Sequence, residues 1–235
     1  MMDVRIGICG YRKGVNVDVI EVQQTFYDIV TESTAARMRR DSPLEFTVKA
    51  SQVITHERTS PTYRRMKKFV GNPENYGGFK VNPDTERALE YTLRVAKILG
   101  ARIVVFQTPA SFRPTEENIR AVRDFSTLLD RGFLYAWEPR GGEWRDELVR
   151  RVLSETGFLH AVDPFRRRSL SQLKYYRLHG IGGKEVNYRY KYTEGDFEVL
   201  ANALGGDVNY VMFNNVHMIR NALEFKEYLG SRVKR

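Results

Sequence analysis

The chain has 235 residues, 42% of them hydrophobic, and a formal net charge of +9. That length suits one α/β barrel in one domain, predicted over residues 1–235, and the charge points to anionic partners. The one cysteine, Cys9, excludes a disulfide framework and any multi-cysteine metal centre, and the lack of an apolar run of about 18 residues excludes a membrane helix, so a cytoplasmic protein is predicted.

From the amino terminus onward, apolar β-branched runs alternate with helical patterns. Strands are predicted at Val4–Cys9, Val19–Gln23, Glu45–Ala50, Arg102–Gln107, Phe133–Glu138, Phe158–Asp163, Lys174–His179 and Val208–Phe213. Helices are predicted at Asp84–Leu99 with Gly100 as its stop, Thr115–Leu129 with glutamates following a capping Thr115, Glu143–Ser154, Glu194–Leu204 and His217–Leu229. This alternation gives an α/β fold, and eight strands suggest a closed (β/α)8 TIM-type barrel. Two connections break the pattern. Gly10–Asp18 and Pro164–Leu173 are too short for a crossover helix, so the barrel is predicted to be irregular. It lacks the helix after the first strand, and after the sixth either the helix is absent or the strand limits differ.

Side chains alternate across a strand, and here the two faces differ in chemistry. Phe46, Val48 and Ala50 oppose Glu45, Thr47 and Lys49; Tyr135 and Trp137 oppose Glu138 and Arg140; Tyr176 and Leu178 oppose Arg177 and His179; Ile20 and Val22 oppose Glu21 and Gln23. If the apolar sets face outer helices, the ionisable sets enter the barrel near its carboxyl end, where barrel enzymes build their sites. The alternative is an internal salt-bridge layer, such as Glu138 with Arg177 and Glu21 with Lys49.

Several stretches together resemble the family called domain of unknown function 72, or YecE-like. They are Ile20-Glu21-Val22 with Thr25-Phe26-Tyr27, Phe46 to Ala50 with Thr55-His56-Glu57, Phe106-Gln107-Thr108-Pro109 with Ser111-Phe112, and Trp137-Glu138-Pro139-Arg140 with Trp144. Tyr176-Arg177-Leu178-His179-Gly180, Tyr188 and Tyr190, and Phe213-Asn214-Asn215 with Asn221-Ala222 continue the series over nearly the whole chain. The resemblance implies a TIM-barrel-like fold, compared with sugar isomerases and the endonuclease IV group, and implies no settled activity. The chain departs from it near the start, where Gly10 to Val15 leads almost directly into the second strand and Gln23 and Gln24 replace the more usual Asn and Ser.

Glu138 and His179 form the candidate acid/base pair, with Lys49 as a third catalytic candidate, either as an electrophile, a phosphate ligand or an imine-forming amine. Arg140 and Arg177 offer planar forks for a carboxylate or phosphate. Gln107, His56, Trp144, Tyr190, Asn214 and Glu21 complete the predicted substrate-binding set. The run Gly180 to Lys184 with Asn214-Asn215 suggests the phosphate site that barrels build after strands seven and eight. Arg166–Arg168 follows Asp163-Pro164 beside the same pocket. Glu138, Asp163, His179 and His56 have the chemistry of metal ligands, but the neighbouring cations oppose a divalent ion, so neither metal nor cofactor is predicted. The leading expectation is an enzyme acting on a phosphorylated or anionic small molecule. The alternatives are a nucleic-acid binder or nuclease, given the interleaved aromatic and basic residues, and a non-catalytic scaffold.

Overall fold

The computed structural model describes residues 2–68 and 71–233. Eight parallel strands close into a barrel in chain order, β1 pairing with both β2 and β8. The strands are β1 (Asp3–Cys9), β2 (Val19–Val22), β3 (Glu45–Lys49), β4 (Ile103–Thr108), β5 (Leu134–Pro139), β6 (Leu159–Val162), β7 (Lys174–Leu178) and β8 (Val208–Phe213). The helices are α1 (Gln24–Tyr27), α2 (Glu32–Asp41), α3 (Gln52–Thr55), α4 (Pro83–Leu99), α5 (Glu116–Ser126), α6 (Asp146–Thr156), α7 (Glu194–Ala203) and α8 (Met218–Val233). None of the described helices is long and apolar enough to cross a membrane.

The eight strands lie within a residue or two of their predicted limits, because each is a short apolar run closed by a turn signal. Both short connections carry no helix. Between β1 and β2 the Asp18 carboxylate accepts the Ile6 N–H at 3.0 Å, tying the turn to the strand it leaves. Between β6 and β7, His160 occupies the flank that a helix would cover. Its Nδ1 accepts the Leu170 N–H at 3.2 Å, while the Ser171 hydroxyl accepts the His160 N–H at 2.7 Å. The predicted stop at Gly100 is present as a left-handed C-cap (φ 65°), and Thr115 caps α5 by accepting the Asn118 N–H at 3.2 Å. The predicted start of α6 at Glu143 is three residues early, since Arg145 is the extended N-cap.

Two apolar clusters divide at the barrel wall as the strand alternation requires. Ile20, Val22, Phe46, Val48, Phe106, Trp137, Leu178 and Phe213 pack outward against the helices, whereas Val19, Ile103, Val105, Ala136, Ala161, Tyr175 and Met212 fill the lumen. Gly7 faces that lumen because a side chain there has no room: a Cβ would lie 2.3 Å from the Val19 carbonyl oxygen. Above this apolar layer, at the carboxyl ends of the strands, the lumen becomes ionic.

Candidate functional site

At the carboxyl end of β7, Arg177 is fully buried and supplies the centre of the ionic layer. Its Nε and Nη2 donate to the two oxygens of Glu21 on β2 at 3.0 and 2.6 Å, and its Nη1 donates to Glu138 on β5. Tyr175, one layer below, donates its hydroxyl to the same Glu21 at 2.9 Å. The remaining Glu138 oxygen accepts from Arg140 Nε at 3.0 Å. Burial alone would raise both carboxyls, but Arg177 outweighs it for Glu21, and Arg177 with Arg140 for Glu138. Both are held below the usual carboxylate range. The expected Glu138–Arg177 pair is therefore present, while Glu21 meets Arg177 across the barrel instead of Lys49.

Arg140 also reaches His179, its Nη2 lying 2.9 Å from His179 Nε2. A guanidinium only donates, so Nε2 accepts and the imidazole carries its proton on Nδ1. Burial first, then Arg140 and Arg177, push His179 well below its ordinary pKa, so it is a neutral imidazole. Its Nδ1 lies 3.9 Å from the Asp163 carboxylate, which accepts the His179 backbone N–H at 3.2 Å and that of Phe165 at 3.0 Å. Asp163 behaves oppositely to Glu138. It forms no ion pair with Lys or Arg among the described residues, and burial with the charge of Glu138 outweighs its two backbone hydrogen bonds and the charge of Arg166, pushing its carboxyl up to about 6.

These groups open on a cavity of about 240 Å³ between the ends of β5, β6 and β7, whose wall includes Glu138, Arg140, Asp163, His179, Arg167 and Lys184. The side chains of Arg167 and Lys184 have no hydrogen bond or ion pair among the described residues. Arg166 is also in the wall but donates to the Lys184 carbonyl at 3.1 Å, joining the loop after β6 to the loop after β7. Tyr188 on that second loop is 42% exposed, its ring centre 6.1 Å from that of His179. A larger cavity of about 780 Å³ lies at the opposite, amino-terminal face, where Arg5 pairs with Asp3 and Glu45, Lys226 pairs with Asp18, and Arg232 lies over the Tyr228 ring.

The remaining predicted residues divide into two groups. Lys49, Gln107 and His56 sit on the β2–β4 side of the same layer. Lys49 Nζ donates to Gln107 Oε1 at 2.9 Å and lies 3.6 Å from the centre of the Phe26 ring, and His56 packs edge-on to that ring. Burial first, then Arg177 and Arg140, lower Lys49 well below an ordinary amine, and burial with the charge of Lys49 brings His56 to about 3. Trp144, Tyr190 and Asn214 are not in the cavity wall. Trp144 is buried outside the barrel, where its indole N–H donates to the Phe112 carbonyl at 2.7 Å and its ring packs against Trp137. Tyr190 donates its hydroxyl to Asp196 at 2.8 Å, so it secures the start of α7. Asn214 closes β8 by donating its backbone N–H to Leu178 at 2.9 Å, and no described residue of the loop after β8 lies in the cavity wall. The four metal-ligand types do not converge either. Both oxygens of Glu138 and the Nε2 of His179 face guanidinium groups, and the described residues contain no cluster of three or more suitable ligands.

Asp163, Arg166 and Arg167, expected beside the pocket, and Lys184, expected in a phosphate-binding loop, all line this cavity. The fold adds that Arg167 and Lys184, on different loops, face one cavity with Asp163.

Comparisons with known proteins agree with this architecture. Among solved structures, a DUF72 family protein from Thermotoga maritima aligns at 20% identity with a TM-score of 0.73, over 97% of this chain and 99% of its own. A DUF72 family protein from Enterococcus faecalis aligns at 16% identity and TM-score 0.72, over 97% of this chain and 95% of its own. Endonuclease IV from Thermus thermophilus shares the fold at 15% identity and TM-score 0.59, over 97% of this chain and 99% of its own. No curated protein matches the chain. A family model described as "Protein of unknown function DUF72" matches residues 13–235, and the chain belongs to that family.

Proposed function

We propose that the chain is an enzyme that holds a phosphorylated or otherwise anionic small molecule between β5, β6 and β7 and transfers a proton on it. The observation that carries this reading is the meeting in one cavity of two cations unpaired among the described residues, Arg167 and Lys184, with the buried carboxyl of Asp163, pushed up to about 6. The anion takes the two cations, with Arg140 adjoining. Asp163, ionised above pH 6, accepts the proton and later returns it. His179, neutral and fixed by Arg140, holds Asp163 through its backbone N–H and presents no competing charge. Glu138, which sequence reasoning paired with His179 as acid or base, keeps its negative charge throughout and serves as the counter-ion for Arg140 and Arg177. A volume near 240 Å³ is below the ~300–1,000 Å³ of drug-sized sites and suits a small metabolite.

A thermal-shift panel of sugar phosphates, small organic phosphates and dicarboxylates tests this reading on the parent and on Arg167→Ala with Lys184→Ala. Stabilisation by a phosphorylated compound in the parent alone supports it. A panel with no stabilising anion, or one whose hits survive the double substitution, removes it.

The exposed Tyr188 ring beside His179 supports a second reading, a nucleic-acid phosphate with a base stacked on Tyr188. Salt-sensitive binding of a single-stranded oligonucleotide that weakens in Tyr188→Ala would favour it over a small metabolite.

A further inference from the structure

The upper lumen contains an amine without a counter-ion. Two carboxylates, Glu21 and Glu138, face two guanidinium groups, Arg177 and Arg140, with every carboxylate oxygen accepting from a guanidinium. These four charges already cancel. Lys49, a fifth group in the same layer, has only the neutral Gln107 amide oxygen and the Phe26 ring as partners. Asp163 and the two neutral imidazoles of His179 and His56 do not change this, since no carboxylate lies within ion-pair distance of Lys49 Nζ among the described residues. The thiol of Cys9, on β1, is buried beneath the layer and held protonated by burial. A guanidinium does not give up its proton, so of the three cations in this layer the one able to become neutral is the lysine, which has no carboxylate partner among the described residues. Lys49 and Glu138 are each 5% exposed, and of the two Glu138 lies in the cavity wall while Lys49 stands in the same ionic layer outside it.

We propose that Lys49 is a nucleophile that forms an imine with an aldehyde or ketone, so that the substrate of this barrel is a carbonyl compound. The Nζ lone pair attacks the carbonyl carbon, the two amine protons pass to the carbonyl oxygen, and water leaves as the C=N bond forms. One carbonyl and one amine thus give one imine and one water, with no oxidant or reductant. The proposal deepens the anion-pocket reading, and rests on it only for the phosphate that the substrate would carry.

Reductive trapping tests it. The full-length protein is incubated at pH 7 with glyceraldehyde 3-phosphate, or with glyceraldehyde, in the presence of sodium cyanoborohydride, and adducts are located by peptide mass mapping. A lysine at the model-peptide pKa of ~10.4 is amine in only one molecule in ~2,500 at pH 7. Lys49 is therefore expected to be labelled on the order of 10²-fold or more faster than the exposed lysines, with a rate that changes little to pH 9 while labelling at an unperturbed amine rises about tenfold per pH unit. Lys49→Met should lose the fast adduct, and the map of the parent alone decides the matter if that variant does not fold. Labelling spread over exposed lysines with none at Lys49 overturns the proposal. The two probes separate it from the earlier reading. Equal trapping of glyceraldehyde and its phosphate supports the imine without the anion pocket, whereas phosphate stabilising a protein that forms no Lys49 adduct rejects the imine alone.

Discussion

Arg177 is the residue on which the lumen depends, and its importance is structural before it is chemical. Replacing it with Met leaves Glu21 and Glu138 buried beside each other without their shared cation, so Arg177→Met is expected to destabilise the fold by about 3–5 kcal/mol in urea denaturation. Asp163 gives a prediction of different kind. Its carboxyl is raised from 3.8 to about 6 in the folded chain. The folded state therefore holds its proton more tightly than the unfolded one, and the stability this confers is full below pH 3.8 and lost as pH rises through about 6. Removing the titration with Asp163→Asn should improve stability relative to the parent by about 2–3 kcal/mol between pH 4 and pH 7, read from paired denaturation curves. A constant difference across that range would mean that Asp163 is not the group titrating there. In catalysis the sign reverses: proton abstraction requires ionised Asp163, so activity should fall below about pH 6. Individual partners of this kind were not legible in the sequence. Strand alternation placed Glu21, Lys49, Glu138 and Arg177 inside the barrel, but whether Glu21 meets Lys49 or Arg177 depends on how far the strands are staggered around the barrel.

Among the elements, the loop after β7 matters most to the site because it carries Lys184 and Tyr188. It starts at Gly180, which has φ 87° and lies where a Cβ would be 1.9 Å from the Asn187 carbonyl oxygen. Gly180→Ala forces that turn apart. Stability should fall by about 1–3 kcal/mol, and anion binding should fall with it, even though no charge is altered. The same change with retained phosphate binding, followed by titration calorimetry, would show that the loop does not build the site. The strands and the absent crossovers were readable because period and connection length are local properties. Helix α2 was not, since its sequence Glu32 to Asp41 buries only Ala35 and Met38 and gives almost no apolar period. Trp144 was misplaced for a related reason: an aromatic a few residues past a strand end is compatible with either side of the wall, and here its indole N–H found the Phe112 carbonyl.

Across the whole molecule, the charge of +9 supplies a general attraction for anions but does not choose a site. Much of it is committed elsewhere. Arg39 donates to the Leu99 carbonyl at 3.1 Å, Arg65 lies over the Tyr27 ring, and Arg151 binds Glu116 through two hydrogen bonds. The proposed site at the carboxyl end rests on Arg167 and Lys184, which have no ion pair among the described residues, whereas in the larger amino-terminal cavity Arg5 and Lys226 are paired and Arg232 lies over the Tyr228 ring. The most direct test is calorimetric titration with inorganic phosphate at low ionic strength, on the parent and on Arg167→Ala with Lys184→Ala. One site per chain in the parent, weakened about tenfold or more by the double substitution, is the expected result. Binding that the substitution leaves unchanged would place the anion elsewhere and contradict the assignment of this cavity.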